Sequence, residues 1–139
     1  MLEHATRAAL YNLYEAYERK DFQTMAGLID DHVDWVMYGP AQILPFEGAR
    51  RGKSDVLATL ADMTRELELE RHIPELVLVE GERAAAICEV AFRQRATGRM
   101  VRLRLANFLR FRDGRLVEFR EFSDTFDAVE QVLGRSIAV

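Results

Sequence analysis

The chain carries a single cysteine, Cys88, which excludes an internal disulfide. Histidine is scarce as well: His4, His32 and His72 stand far apart and show no metal-ligand spacing, so neither a metal site nor another cofactor is expected. No stretch approaches the roughly 18 apolar residues that a membrane span requires. The opening Met-Leu-Glu-His-Ala lacks a basic region followed by a hydrophobic run, and the expectation is a cytoplasmic protein. A clustered positive charge is missing too. The net charge is −4 and no run of Lys and Arg alternates with aromatics, which argues against a nucleic-acid partner. Repeats and low-complexity segments are absent. The 139 residues fit one domain, 1–139, large enough for one core and a small-molecule cavity.

What is present divides into a helical first half and a stranded second half. Ala5, Ala9, Leu13, Ala16 and Tyr17 recur at helical spacing over residues 4–19. Phe22, Met25, Ala26 and Ile29 mark a shorter second helix ending near Asp30-Asp31, and Val33 to Tyr38 reads as a strand. Gly39-Pro40 and Pro45 bound an irregular loop that runs to Gly52. Ser54 is placed to cap a third helix carrying Val56, Leu57, Leu60, Met63 and Leu67. Beyond Pro74 the period falls to two: Leu76 to Glu80, Ala85 to Gln94, then a long hairpin from Arg102 to Asp124, before a short helical tail at Asp127 to Leu133.

The hairpin carries the functional signal. Leu103, Leu105, Leu109 and Phe111 share one face with Val117 and Phe119, while Arg102, Arg104, Arg110, Glu118, Arg120 and Asp124 take mostly the other. Asn107, Glu121 and Ser123 break the pattern by standing on the apolar side. Polar groups there need partners, water or a ligand, and a hollow that admits a small apolar molecule supplies them. A three-residue loop, Arg112-Asp113-Gly114, keeps the faces sorted and sets Asn107 opposite Phe119 and Leu105 opposite Glu121. Asn107 and Glu121 are then diagonal neighbours about 7 to 8 Å apart. A two-residue Thr97-Gly98 turn pairs Phe92 with Leu103, Val90 with Leu105 and Cys88 with Asn107.

Four segments, in order, resemble the SnoaL-like branch of the nuclear transport factor 2-like superfamily: Lys20-Asp21-Phe22; Asp31-His32-Val33-Asp34-Trp35; Pro45-Phe46-Glu47-Gly48 with Arg51-Gly52-Lys53; and Phe119-Arg120-Glu121-Phe122-Ser123-Asp124. The resemblance implies an α+β cone, in which a curved, mixed, mostly antiparallel sheet wraps three N-terminal helices around an internal pocket, commonly as a homodimer. It also implies isomerase, hydrolase or dehydratase chemistry, or no chemistry at all. Against the ketosteroid-isomerase pattern, the helix tyrosine falls on Leu13 with Tyr14 beside it. The base falls on Val36, or on Asp34 after a shift, and the oxyanion holder falls on Asn107. Against the epoxide-hydrolase pattern, Cys88 and Val90 replace the arginine and first aspartate, and Glu121 takes the place of the second carboxylate.

The candidate catalytic residues are therefore Glu121 as general acid or base, Asn107 as holder of a substrate oxygen, and Asp34. Desolvation is expected to raise the pKa of Glu121. Asn107 also reads as a buried, satisfied amide, and Asp34 as a residue at the surface. Pocket candidates are Tyr14, Trp35, Val36, Phe46, Cys88, Val90, Phe92, Leu105, Phe119 and Ser123. Of these, Tyr14, Trp35, Phe46 and Phe92 fit a core equally well, and Cys88 fits a small buried hydrophobe. Ala106, Phe108 and Phe122 on the charged face suggest a homodimer surface.

Overall fold

The computed structural model describes residues 1–138. Its elements are α1 (Leu2–Glu18), α2 (Phe22–Leu28), β1 (Ile29–Met37), β2 (Gly48–Arg51), α3 (Lys53–Glu66), β3 (Leu67–Glu80), β4 (Arg83–Gln94), β5 (Met100–Arg112), β6 (Arg115–Ser123) and α4 (Thr125–Leu133). The strands form one open sheet in the order β2-β1-β6-β5-β4-β3, antiparallel except where β1 runs parallel to β6. This is the α+β cone expected from the sequence. Long, bulged strands curve around α1, α2 and α3.

The apolar stripe of α1, which includes Ala9, Leu10, Leu13, Tyr14 and Ala16, is buried against the sheet. Its start is pinned where Thr6 Oγ1 donates to the Gly81 carbonyl at 2.6 Å and Glu3 accepts from Gly81 N–H at 2.9 Å. Asp21 then caps α2 by accepting from Thr24 N–H at 3.0 Å. Along β1, Val33, Trp35 and Met37 point inward, so Asp34 and Val36 face outward.

The strands differ from their sequence-based bounds in instructive ways. α3 stops at Glu66, and Leu67 opens β3 instead of closing the helix. β3 runs through Pro74, which is tolerated because β3 is an edge strand and Pro has no N–H to offer a ladder. Gly48–Arg51, expected as loop, pairs with β1 as β2. Gly52, not a serine side chain, occupies the N-cap of α3. The β4–β5 loop spans residues 95–98, closed by Gln94 N–H donating to Arg99 O, which moves each expected partner by two. Val90 therefore faces Leu103, Cys88 faces Leu105 and Ala86 faces Asn107. Because the shift is even, no side chain changes face.

The β5–β6 hairpin turns on two residues, Asp113 (φ 52°) and Gly114 (φ 76°), instead of the expected three. A two-residue turn alone would send Glu121 to the wrong face. The bulge at Val117 restores the order: Phe111 pairs with Leu116, but Arg110 pairs with Glu118. Asn107 is consequently directly opposite Glu121, and Leu105 opposite Ser123.

α4 closes the wide end of the cone. Past the end of β6, Gln131 takes over the open edge of β5, accepting from Arg102 N–H at 2.7 Å and donating to Arg102 O at 2.8 Å. Ala128 and Val129 pack on Leu44 of the β1–β2 loop. Gln131→Ala is expected to lower stability by about 1–2 kcal/mol, the worth of two such bonds, as a fall in the urea midpoint with an unchanged m-value.

Candidate active site

Between the helices and the concave face of the sheet lies a cavity of about 170 Å³, lined mostly by apolar and aromatic side chains. Its wall contains the carboxylates Glu47, Glu66 and Glu121 and, among the described residues, no lysine or arginine. The lining thus holds no permanent positive charge; His72 is the side chain in it that can become a cation.

Glu121 enters the cavity from β6, fixed by its cross-strand partner. Asn107 Nδ2 donates to Glu121 Oε1 at 3.0 Å, and Asn107 Oδ1 accepts from the Tyr14 hydroxyl at 2.8 Å. A chain Tyr14–Asn107–Glu121 therefore runs from α1 across β5 to β6. Burial pushes the Glu121 carboxyl up to about 7 against the opposing pull of the Asn107 bond, and the nearby charge of Glu47 adds to the rise. Burial also raises the Tyr14 phenol well above its ordinary range, with Cys88 and Glu121 contributing, so Tyr14 acts as a neutral donor.

Glu47 approaches from the β1–β2 loop, and burial lifts it to about 7 as well. Its side chain lies over Gly39, where an added Cβ would sit 2.9 Å from Glu47 Cγ and Cδ. Arg50 clamps the loop that carries it. The guanidinium donates to Pro45 O at 3.0 Å, to Glu47 O at 3.3 Å and to Thr59 Oγ1 of α3 at 2.8 Å. Deeper in the wall, Trp35 stacks on Phe119 with ring centroids 3.9 Å apart. Its buried Nε1–H has no hydrogen-bond partner among the described residues.

Of the residues singled out from the sequence, Glu121, Asn107, Tyr14, Trp35, Phe46, Val90, Phe92, Leu105, Phe119 and Ser123 line this cavity together. Three do not. Asp34 lies on the outer face in an ion pair with Arg120 at 2.9 Å, its side chain 44% exposed. Val36 is on that same face, two residues along, because the parity of β1 turns Trp35 and Met37 inward. Cys88 is fully buried behind the wall beside Tyr14, where burial raises its thiol pKa. Asn107 lies 3% exposed, with its oxygen and one N–H already engaged, so it orients Glu121 more directly than it meets a ligand.

Glu47 and His72 escaped sequence reasoning as site residues. Glu47 sits on an irregular loop whose side-chain direction no period reveals; the Pro-bounded Pro45-Phe46-Glu47-Gly48 segment was the available signal. His72 lies in the part of β3 read as helix end and linker. Among the described residues, no group of three or more His, Cys, Asp or Glu converges as a metal-ligand set, and no helix is long and apolar enough to cross a membrane.

Residues 10–119 match the model of the SnoaL-like domain. The chain belongs to the SnoaL-like family. A solved relative from Rhodopseudomonas palustris, described as a candidate isomerase, shares 36% identity at a TM-score of 0.85, covering 97% of this chain and 100% of its own. Two more distant structures share the fold of this SnoaL-like protein. A candidate isomerase from Bacillus subtilis has 18% identity, a TM-score of 0.83 and coverage of 99% and 100%. An LEH-like epoxide hydrolase from M. tuberculosis has 17% identity, a TM-score of 0.79 and coverage of 95% and 92%. No curated protein matches in sequence.

The raised Glu121 carboxyl has a consequence for stability. In the unfolded chain it ionises near its ordinary value of 4.5, in the folded protein near 7, so the folded state holds the proton more tightly between these values. Its contribution to stability is full below pH 4.5 and is lost as pH rises through about 7. Glu121→Gln is expected to gain stability relative to wild type across that window and to level off above it, read from chemical denaturation at stepped pH.

Proposed function

We propose that this SnoaL-like protein is an acid–base enzyme that moves a proton on a small, largely apolar, uncharged metabolite, with isomerisation of an unsaturated ketone through its dienol as the reaction the site fits best. The observation that carries this reading is that Glu47 and Glu121, each lifted to about 7, enter one apolar cavity. Burial lifts both carboxyls, and the charge of Glu47 adds to the rise at Glu121, so near neutrality one can serve as base while the other serves as acid. The ionised partner, Glu121, takes a proton from the carbon beside the carbonyl. The C–H electron pair forms a new C=C to the carbonyl carbon while the carbonyl π pair moves to oxygen. As that pair returns, the substrate's existing C=C takes a proton at its far carbon from the protonated partner, Glu47, and moves into conjugation. Asn107 and Tyr14 hold Glu121 in place, and Gly39 and Arg50 hold Glu47. The candidate-isomerase relative supports the same class of chemistry.

The size of the cavity sets the size of the substrate. A cavity of 150 Å³ takes a benzene ring, so one of about 170 Å³ suits a molecule of roughly six to ten non-hydrogen atoms. The acidic lining disfavours carboxylates and phosphates. A cytoplasmic setting is part of this reading.

The experiment is a turnover screen of small cyclic and branched unsaturated ketones, followed over pH with wild type and two variants. A bell-shaped profile with its maximum near pH 7 is expected. Glu121→Gln should lower kcat/KM by about 10²–10⁴. Glu47→Gln should remove one limb and move the Glu121 limb toward acid, since the repelling charge is gone. Full turnover in Glu121→Gln sinks the reading, and ligand retention without turnover in wild type makes the protein a binding module.

We also infer that two copies associate through the outer face of the sheet. Tyr38, Phe108 and Phe122 form an aromatic cluster there, each about half exposed, and Leu76, Leu78 and Ile87 continue the apolar band across β3 and β4. Ion pairs such as Arg104–Glu75 and Arg83–Glu118 flank it. Sedimentation should give a dimer at micromolar concentration and a monomer for Phe122→Glu; a wild-type monomer overturns this.

A further inference from the structure

Proton transfer from carbon, as proposed above, leaves one role open: a group that handles the substrate's oxygen. Tyr14 has spent its hydroxyl proton on Asn107, and Asn107 is 3% exposed and turned to Glu121. We propose that His72, oriented by Glu18, is the catalytic residue that exchanges a proton with the substrate's oxygen. This inference rests on the acid–base reading and completes it.

The imidazole projects from β3 into the cavity wall, its side chain only 5% exposed. On one side Nδ1 lies 2.7 Å from Glu18 Oε2, at the end of α1. That carboxylate is 39% exposed and acts as acceptor, so the proton of the pair resides on Nδ1. Tyr14 and Tyr17 hold the ring edge-on, with centroids 4.8 and 5.5 Å away. Nε2, the ring nitrogen not engaged by Glu18, has no hydrogen-bond partner among the described residues, and the ring lines the cavity. A carboxylate, an oriented imidazole and a free second nitrogen facing a substrate space are the parts of an acid–base histidine.

With both nitrogens protonated, Nε2–H donates to the ketone oxygen. Glu121 removes the neighbouring C–H proton, and its electron pair forms the C=C. The carbonyl π pair moves to oxygen and takes the proton from Nε2, leaving an enol, neutral His72 and protonated Glu121. Return of the enol proton to Nε2 and transfer of a proton from Glu47 to the far carbon complete the isomerisation; Glu121 holds the proton that Glu47 has given up, so the total is unchanged. Glu18 serves the imidazolium as counter-charge in a cavity that has no other cation. The substrate class narrows accordingly to small apolar ketones, with phenols as mimics of the enol.

The test uses phenol as probe and the imidazole nitrogens as reporters. In ¹⁵N-labelled wild type, long-range ¹H–¹⁵N spectra should show His72 protonated at Nδ1 throughout. Phenol should shift its Nε2 resonance, and Glu18→Gln and His72→Gln should each weaken phenol binding by about tenfold or more. Glu18 is partly exposed, so its variant keeps the test open if His72→Gln fails to fold. A neutral His72 carrying its proton on Nε2 overturns the inference, as does a wild-type Nε2 unmoved by phenol, whether phenol binds elsewhere or nowhere. The two readings also fail separately. Turnover lost in Glu121→Gln but unchanged in Glu18→Gln and His72→Gln removes His72 alone, whereas a phenol response at Nε2 with turnover unchanged in Glu121→Gln removes the carboxylate mechanism and leaves the histidine site.

Discussion

Asn107 meets Glu121 because one residue, Val117, is left out of the ladder between β5 and β6. Alternation fixes which face a side chain takes, and a register that is off by one would exchange the two faces of β6 entirely. With the bulge in place Phe119 and Glu121 face inward, while Arg120 and Phe122 face outward. Both the site and the outer apolar band therefore depend on that single extra residue. The right-handed twist that a bulge adds also helps to wrap the sheet around the helices.

The second governing constraint is the desolvation of carboxylates without a cation to compensate it. In most proteins a buried Glu finds Arg or Lys, and its pKa falls. The arginines here are spent elsewhere: Arg120 on Asp34, Arg104 on Glu75, Arg83 on Glu118, and Arg50 on loop carbonyls. Left among aromatic and aliphatic walls, Glu47 and Glu121 titrate near neutrality. Glu18 reaches the same cavity only indirectly, through the His72 ring.

Much of this was legible in the chain. The inward positions of β4, β5 and β6 follow from period-two alternation, and Glu121 and Asn107 were visible as polar groups on an apolar face. The order of elements and the four short segments gave the cone. What stayed hidden depended on geometry that alternation does not encode. Two turns of unexpected length moved strand partners without moving faces, and the parity of β1 was ambiguous between Asp34, Trp35 and Val36 until Met37 and Trp35 were seen to line the cavity. Glu47 rides on a loop, where orientation comes from Gly39 and Arg50 rather than from any repeat. His72 lies two residues before Pro74, and the strand expected from Leu76 begins nine residues earlier, at Leu67.

That proline also bears on the open edge of the sheet. β3 is 14 residues long and forms one edge of the sheet, a length of unpaired backbone on which another strand could template itself. Pro74 removes a donor from the middle of that edge, and register breaks on either side, between Leu69 and Arg71 and between Pro74 and Leu76, interrupt its spacing. Glu68, Glu70 and Glu75 line it with charged side chains, ion-paired to Arg95, Arg93 and Arg104, and the opposite edge, β2, is only four residues long. Neither margin offers an unbroken ladder, which works against fibre-like growth by edge addition.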